Sequence, residues 1–320
     1  MTTGDRMARY TEALAFIPPA GCGNGTHVYL LTTANYGRMA KLSPEQVFED
    51  LRRAIPPGRR HVSDREIWDA VNKAFSGQAD GFIPKPKPRP IIHNGPVVLK
   101  RLIQQGRGVT EAGILETSPV PVPDRPEDHA VLLLQTLYHP DILVFCGERH
   151  EAGIIGRTIR KASQWVEYFS RSEEPGPHII PNSLTGLPAP KKDGQRTTLR
   201  GDANVAAYRF AVAEFDGLSR EDQISFWAAV NLPIVALIDS GGKSIHAWLD
   251  VRKLADVHTA EEWDTHIRDH LYQQLLTPLG VDGTCSNPSR LSRLPGHFRA
   301  EKRRMQRLLY LAPEGRRIFS

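Results

Sequence analysis

The chain has 320 residues, of which 40% are hydrophobic and 24% are charged. These proportions are those of ordinary globular proteins, so they argue against a disordered, fibrous or membrane-embedded chain, and the length suits about two domains. No run of about 18 apolar residues is present, and the segment from Met1 to Arg9 lacks the apolar core of a signal peptide. We therefore expect a cytoplasmic protein that has no membrane partner.

Residues 1–80 predict a small helical module. Ser43 and Ser63 each precede acidic residues and then apolar residues at helical spacing, which is a typical helix start. Residues 81–128 are expected to form a proline-rich linker, because the alternating prolines from Pro86 to Pro90 exclude a helix. The predicted domain boundary lies within this linker.

Residues 129–320 carry the clearest alternation of strands and helices. In chain order the predicted elements are a strand from Tyr208 to Asp216, a helix starting at Ser219, strands Ile234 to Asp239 and Ser244 to Val251, a helix starting at Thr259, and a closing strand between Arg290 and Leu311. The order β-α-β-β-α-β is the split βαβ plan of ferredoxin-like and RNA-recognition-motif (RRM-like) folds. We therefore predict an α/β fold of the α+β type, with both helices on one face of an antiparallel sheet and the site on its open face.

Two carboxylates close the first of these strands. Glu214 and Asp216 are two residues apart, so alternation along a strand would point both side chains the same way, with Cα atoms roughly 6.5 to 7 Å apart. Such a pair can hold two hard divalent cations for displacement at phosphorus. The alternative is an acidic pair that is merely solvated at a strand end.

The next hairpin places a histidine on a polar strand face. Residues from Ser244 onward alternate so that His246 and Trp248 share one face, and Gly242 and Lys243 precede them in a turn suited to a triphosphate. A Walker A site is excluded, because Leu237 stands where that motif needs glycine and a strand follows instead of a helix. The alternative is a core histidine with a local hydrogen bond.

The cysteines and the basic residues are distributed differently. Cys22, Cys146 and Cys285 lie far apart, which excludes a disulfide framework and a CxxC zinc site and favours ordinary buried thiols. From Arg290 to Ser320 there are nine basic residues against two acidic ones, whereas the whole chain has a net charge of +5. This local excess predicts a polyanionic partner, although a solvated charged surface would show the same composition.

Taken together, Glu214-Phe215-Asp216, Ser244-Ile245-His246 and Asp282 ahead of Arg293-Leu294-Pro295-Gly296 resemble the motifs of the archaeo-eukaryotic primase superfamily. This superfamily contains the primase-polymerases of phages, plasmids and mobile elements. The resemblance covers about residues 135–315. It departs from the usual family pattern in having Glu as the first acid, and no Cys or His cluster supplies the zinc site of several relatives, so no structural zinc is expected.

The resemblance implies a role for each matching residue. Two Mg²⁺ or Mn²⁺ ions would be held by the acids, and the catalytic set would add the histidine: Glu214, Asp216, Asp282 and His246. The nucleotide would be bound by Ser244, His246, Lys243, Arg290 and Arg293. The DNA backbone would be bound by Arg299, Lys302, Arg303, Arg304 and Arg307. Asp282 would equally suit a turn with no ligand.

The function implied by the resemblance is template-directed DNA synthesis, in which a 3′ hydroxyl attacks the α-phosphate of a nucleotide. Expected partners are single-stranded DNA, deoxyribonucleotides or ribonucleotides, and a replicative helicase. The helical module resembles the small domain that usually follows the catalytic domain in these primases, and Asn182 is expected in a loop near template or nucleotide. Two alternatives remain open: a non-catalytic nucleic-acid-binding protein that keeps the fold, and a metal-dependent nuclease or phosphoesterase.

Overall fold

The computed structural model describes residues 3–20, 26–58, 60–76, 91–171, 173, 176–191 and 196–319. The chain divides into two compact units, residues 1–87 and 88–320. The alternating prolines of the expected linker and Cys22 lie outside the described residues. Within the described ranges, no helix is long and apolar enough to cross a membrane.

The first unit is helical, as its sequence predicts. Ser43 and Ser63 cap two of its helices, since each Oγ accepts a hydrogen bond from the backbone N–H three residues later, at 3.2 and 3.3 Å. The apolar faces of these helices meet in one core around Leu30, Leu51 and Val71. The described helices are α1 (Thr3–Ala15), α2 (Thr26–Met39), α3 (Pro44–Ala54) and α4 (Asp64–Phe75).

The second unit is built from two antiparallel sheets and their covering helices. Its described helices are α5 (Gly95–Gln105), α6 (Glu111–Glu116), α7 (His129–Leu137), α8 (Ala162–Ser170), α9 (Arg220–Ala229), α10 (Ala260–Glu262) and a π-helix (Trp263–Leu276) that continues α10. Its described strands are β1 (Leu143–Gly147), β2 (Ile159–Lys161), β3 (His178–Leu184), β4 (Ala189–Pro190), β5 (Thr197–Thr198), β6 (Phe210–Ala213), β7 (Ile234–Asp239), β8 (Ile245–Asp250), β9 (Ser292–Arg293), β10 (Phe298–Arg299), β11 (Arg304–Met305) and β12 (Arg307–Arg316).

Much of the expected linker is folded. Residues 91–128 contain α5 and α6, and α5 packs against α9 through partly buried Leu99 and Leu102. The two helices approach closely at Gly106, where an added Cβ would lie 1.9 Å from the backbone oxygen of Ser225. The prolines around this segment concealed the helices, because proline excludes a helix interior but is compatible with the first turn, where Pro96 stands in α5.

The larger sheet has the strand order β12-β7-β8-β6, and every pair is antiparallel. The predicted succession β-α-β-β-α-β is present as β6, α9, β7, β8, α10 with the π-helix, and β12. Helix α9 and the π-helix lie on one face of this sheet. Trp227 of α9 and Ile267 of the π-helix share one core with Ile245 and Ala247 of β8. Ser219 and Thr259 cap these helices through the backbone N–H groups of Asp222 and Glu262.

One edge of this sheet differs from the expected ferredoxin-like plan. That plan would place the closing strand beside β6, whereas β12 pairs with β7. Side chains occupy the outer edge of β6 instead: the amide of Asn182 bonds both backbone groups of Phe210, and the hydroxyl of Tyr272 donates to the carbonyl of Val212. These side chains bond three backbone groups of β6 that a neighbouring strand would otherwise bond.

The expected open face of the sheet is also not open. The second sheet, with strand order β2-β1-β3-β9, and helices α7 and α8 cover it. Trp248 is fully buried between the layers, and its indole N–H donates to Ser292 Oγ of β9 at 2.8 Å. The polar groups on this face of β8 are thus hydrogen-bonded to the second sheet. Only one end of the strands leaves this face of the larger sheet exposed.

Candidate functional site

A cleft of about 580 Å³ opens at that end, between the two sheets. Most of its lining is polar or charged, and most of the residues singled out from the sequence lie on it. The lining residues are Arg149, His150, His178, Glu214, Asp216, Ser240, Lys243, Ser244, His246, Asp282, Thr284, Asn287, Ser289, Arg290, Leu291, Arg293 and Arg299.

A larger concave region, of about 880 Å³, lies in the helical unit between α3 and α4. Two of its arginines are paired with acids, Arg52 with Asp64 and Arg60 with the neighbouring Glu66. It holds no group of metal-ligating side chains among the residues that the structure describes. The chemistry of the chain is therefore concentrated in the cleft of the second unit.

The first two acids follow the end of β6 and are held by the residue between them. Phe215 is buried against Phe226 and Trp227 of α9, which turns its neighbours Glu214 and Asp216 toward the cleft. Glu214 is 8% exposed, whereas Asp216 is exposed and makes no hydrogen bond or ion pair within the described part of the chain. The strand ends at Ala213, before the two acids. Their different exposure places them at different depths of the same cleft.

Both oxygens of Glu214 are engaged. Oε2 lies 3.0 Å from Nε2 of His246, and Oε1 lies 3.0 Å from a guanidinium nitrogen of Arg290. Burial opposes ionisation of this carboxyl group, but the hydrogen bonds and electrostatic attraction of His246 and Arg290 outweigh it and hold the pKa of Glu214 well below its usual range. Glu214 is therefore ionised at neutral pH.

The position of His246 is set by β8 and β9. Its Nδ1 lies 3.2 Å from Ser292 Oγ, and the ring is 4% exposed. The histidine is thus hydrogen-bonded in the core, as the second alternative expected, and it also contacts the buried acid of the cleft. Ser244, the first residue of the same motif, lines the cleft and bonds through its hydroxyl to Ser240.

Asp282 is at once a turn residue and a neighbour of Glu214. Its carboxylate accepts hydrogen bonds from the backbone N–H and hydroxyl of Thr284, at 2.9 and 2.6 Å, and caps the turn Gly283–Ser286. Its own N–H donates to the carbonyl of Glu214 at 2.9 Å, which fixes the two acids together. Burial raises the pKa of Asp282, but the bonds from Thr284 and Cys285 and the charge of Arg290 lower it below its usual value.

Cys285 is a buried thiol, as expected, but its neighbours are the acids of the cleft, which the sequence did not indicate. It is fully buried, with its sulfur 3.4 Å from Oε1 of Glu214 and 3.5 Å from Oδ2 of Asp282. Burial and the neighbouring carboxylates raise the pKa of Cys285, although Arg290 opposes them, so the sulfur is a protonated thiol at neutral pH. Cys146, by contrast, is buried in the core, as expected.

The side chains of Glu214, Asp282 and Cys285 can converge on one cation. One ligand atom from each lies within 4.8 Å of the other two. Carboxylate oxygens are the ligands that Mg²⁺ and Mn²⁺ prefer, so the donor set fits a hard divalent ion, with a thiol as an additional neighbour. The exposed carboxylate of Asp216 on the same cleft remains available to a second ion.

The glycine turn between β7 and β8 packs closely against the side chain of Arg299. Gly241 has a φ of +64°, and its N–H donates to Asp239 Oδ1 at 2.9 Å. The guanidinium of Arg299 lies against the turn and donates to the carbonyl of Ser240 at 3.1 Å; a Cβ at Gly242 would come within 2.9 Å of it. The glycines therefore let Arg299 approach the backbone, while Lys243 stands exposed at the cleft.

Gln223 and Asp239 support this turn, and no sequence pattern pointed to either. The fully buried Gln223 accepts from the N–H of Ile245 at 2.8 Å and donates to the carbonyl of Lys243 at 3.0 Å. Asp239, also fully buried, pairs with Arg220 at 2.9 Å and with Arg307 at 3.3 Å. These interactions join residues far apart in the chain, which local patterns do not report.

The five basic residues expected to bind DNA occupy different environments. Arg304 and Arg307 pair with Asp239, and Arg299 pairs with Glu301. Lys302 and Arg303 are exposed in the turn between β10 and β11, and their side chains have no partner among the described residues. Of the five, these two are the ones fully available to a polyanion in this conformation.

The second sheet contributes residues that the sequence did not single out. Arg149 and His150 follow β1, and His178 begins β3. The buried Nδ1 of His178 has no hydrogen-bond partner in the described chain, and burial together with Arg293 and His246 lowers the pKa of His178 to about 3. A histidine and arginine immediately after a strand, as in Gly147-Glu148-Arg149-His150, was the available signal.

Arg293 completes the cationic side of the cleft. Its guanidinium makes no ion pair or hydrogen bond within the described ranges, and burial together with Arg299 lowers its pKa. Asn182, expected in a loop near a ligand, is instead 1% exposed within β3, and all the hydrogen bonds of its amide go to backbone groups. It supports the site and does not line it.

No protein-family model matches the chain, and no curated protein sequence matches it. Among solved structures, the chain is similar to the AEP domain of the primase-polymerase of cyanophage S-2L, with a TM-score of 0.37 and 17% sequence identity. The match covers 61% of this chain and 96% of that one. At that TM-score the similarity carries no inference about the activity of this chain.

Proposed function

We propose that the second unit is a template-directed nucleotidyltransferase of the primase-polymerase type, acting on single-stranded DNA. The observation that carries the proposal is the charge arrangement of the cleft. Acids from separate segments, Glu214, Asp216 and Asp282, share one cleft with the cations Arg149, Lys243 and Arg293, whose side chains have no partner among the described residues. A nucleoside triphosphate with divalent cations has the complementary distribution of charge.

The reaction joins a 3′ hydroxyl to the α-phosphate of the nucleotide. The new P–O bond forms as the bond from the α-phosphorus to the oxygen bridging to the β-phosphate breaks, the hydroxyl proton passes to solvent, and pyrophosphate leaves. Glu214, Asp282 and Asp216 would hold two Mg²⁺ or Mn²⁺ ions, which supply activation of the attacking oxygen and stabilisation of the leaving group. Lys243 and Arg293 would neutralise the charge that accumulates on the phosphates.

His246 has a supporting role in this arrangement. Its ring is fixed by Ser292 on one side and touches Glu214 on the other, so it orients the buried acid at the floor of the cleft. The sequence resemblance assigns a histidine at this position to nucleotide binding.

The template would enter along the β10–β11 turn. Arg299 in β10 lines the cleft, so the exposed Lys302 and Arg303 of the adjoining turn lie within a few residues of it. Cationic side chains that are not already paired are the ones that can exchange counterions with a phosphate backbone. We propose the helical unit as an accessory domain to this catalytic unit.

The test is nucleotide incorporation on single-stranded DNA, with and without a primer, in Mg²⁺ or Mn²⁺, comparing wild type with Asp216→Ala. Because Asp216 has no partner among the described residues, its removal should change stability by less than about 0.5 kcal/mol. Synthesis should fall at least about 100-fold, the scale of losing one electrostatic element of an active site. DNA binding should be retained.

Glu221→Ala is the matched control, since it removes an exposed carboxylate just beyond the site, at the start of α9. It should leave synthesis unchanged. Undiminished synthesis by Asp216→Ala would contradict the site assignment. Metal-dependent cleavage of DNA without incorporation would favour a nuclease, and salt-dependent DNA binding with neither reaction would favour a non-catalytic binding protein.

A further inference from the structure

A guanidinium nitrogen of Arg290 lies between the two buried acids of the cleft. Its Nη2 is 3.0 Å from Oε1 of Glu214 and 3.6 Å from Oδ2 of Asp282. These same two carboxylates, with the sulfur of Cys285, form the group that can converge on a cation. The positive charge of Arg290 therefore stands at the edge of the position that a divalent ion bridging Glu214 and Asp282 would take.

The rest of the Arg290 side chain is weakly held. Nη1 reaches the carbonyl of Thr284 at 3.4 Å, a long hydrogen bond. The buried Nε has no hydrogen-bond partner within the described chain, and the side chain is 26% exposed on the cleft. The two carboxylates thus supply most of what keeps the guanidinium in place, and the side chain has room to move toward the cleft.

We propose that Arg290 is an internal counter-cation: it neutralises Glu214 and Asp282 when no divalent ion is bound, and moves onto the nucleotide phosphates when an ion takes its place. This inference rests on the proposed function, because it needs the ion and the nucleotide to share the cleft. It makes the binding of ion and nucleotide interdependent through one side chain.

Electrostatics require this exchange. A divalent ion and a guanidinium cannot occupy neighbouring positions on the same two carboxylates without strong repulsion in a partly buried site. The displaced guanidinium needs an anion, and the planar fork of arginine suits the oxygens of a phosphate. His246 cannot make the same move, since Ser292 holds the other side of its ring.

The structure offers a matched control in Arg293. Arg293 lines the same cleft, and replacing it by Gln removes one positive charge, as in Arg290→Gln. Unlike Arg290, it pairs with neither acid. The change in ion affinity caused by Arg293→Gln therefore measures the long-range effect of one positive charge. Any further change in Arg290→Gln measures the direct competition at Glu214 and Asp282.

The experiment is titration of the full chain with Mn²⁺ alone, followed by the paramagnetic resonance of the free ion, and repeated with dATP present. We expect Arg290→Gln to bind Mn²⁺ at least about tenfold more tightly than Arg293→Gln does without nucleotide. We also expect dATP to raise Mn²⁺ affinity by a smaller factor in Arg290→Gln than in wild type, because the variant has no guanidinium that can leave the acids and bind the phosphates. Arg290→Lys keeps the positive charge but lacks the planar guanidinium, so its Mn²⁺ affinity should lie between those of wild type and Arg290→Gln.

Thermal unfolding checks that the variants fold. Without the ion, Arg290→Gln should melt below wild type, because Glu214 and Asp282 lose a counter-charge, and Mn²⁺ should restore more stability to it than to wild type. The inference is overturned if Arg290→Gln binds Mn²⁺ no more tightly than Arg293→Gln. Glu214→Gln tests the metal site itself. If wild type binds no Mn²⁺, or if Glu214→Gln binds Mn²⁺ as tightly as wild type, the proposed metal site fails, and this inference fails with it.

Discussion

The amide of Asn182 connects the two segments that bring charged groups to the cleft. Its Oδ1 accepts from the N–H groups of Arg209 and Phe210, both at 2.8 Å. Its Nδ2 donates to the carbonyls of Phe210 and Pro288, both at 2.9 Å. Phe210 begins the strand that leads to Glu214, and Pro288 precedes Arg290 by two residues, so this one side chain sets their relative position.

Asn182→Ala would leave these four backbone groups without their partner. A buried polar group without a partner costs about 1–3 kcal/mol, but water and local relaxation will recover part of the loss. We therefore expect the free energy of unfolding to fall by about 3–5 kcal/mol, a large share of the 5–15 kcal/mol that is usual for a domain. The change should be visible in urea unfolding followed by tryptophan fluorescence.

Asn204→Ala is the matched control for function. Asn204 is also fully buried, and its side chain bonds to the backbone of Gly201, Leu187 and Thr198. Both variants should be destabilised, but at a temperature where both are folded only Asn182→Ala should lose nucleotide incorporation. A stability loss below about 1 kcal/mol for Asn182→Ala, or equal activity losses in the two variants, would refute the reasoning.

Two further predictions concern the charged groups of the cleft and the adjoining turn. The pKa of His178 is lowered to about 3 from 6.5 by burial first and then by Arg293 and His246, so below pH 6.5 the unfolded chain takes up a proton that the folded chain refuses. The free energy of unfolding should therefore fall as the pH drops from 6.5 toward 3. Because the ring is partly exposed, we expect a loss of about 1–2 kcal/mol, which should be absent in His178→Asn. If the free energies of unfolding of the two proteins change in parallel with pH, His178 is not the group responsible. The double change Lys302→Gln and Arg303→Gln should weaken binding of single-stranded DNA by a similar factor on every sequence and reduce the salt slope by about 0.7 for each phosphate that is no longer neutralised. Fluorescence anisotropy at several salt concentrations measures that slope, and an unchanged slope would exclude the turn from the DNA interface.

The features that depend on near neighbours could be predicted from the amino-acid sequence alone. The helix starts at Ser43, Ser63, Ser219 and Thr259 are as predicted, because a cap joins residues three apart and needs no tertiary context. The succession of strands and helices from β6 to β12 also followed from local alternation and turn residues. The spacing of Glu214 and Asp216 around an apolar residue was enough to place both on one cleft.

The packing of the layers determined which surface is open and which polar groups support it. The adjoining sheet covers the face on which a site was expected, and β12 joins β7 while side chains of Asn182 and Tyr272 bond the outer edge of β6. Asn182, Asp239 and Cys285 meet partners that are distant in the chain. Such pairings depend on how layers stack in three dimensions, so a periodic pattern of apolar residues, which reports only the direction of burial, contains no trace of them.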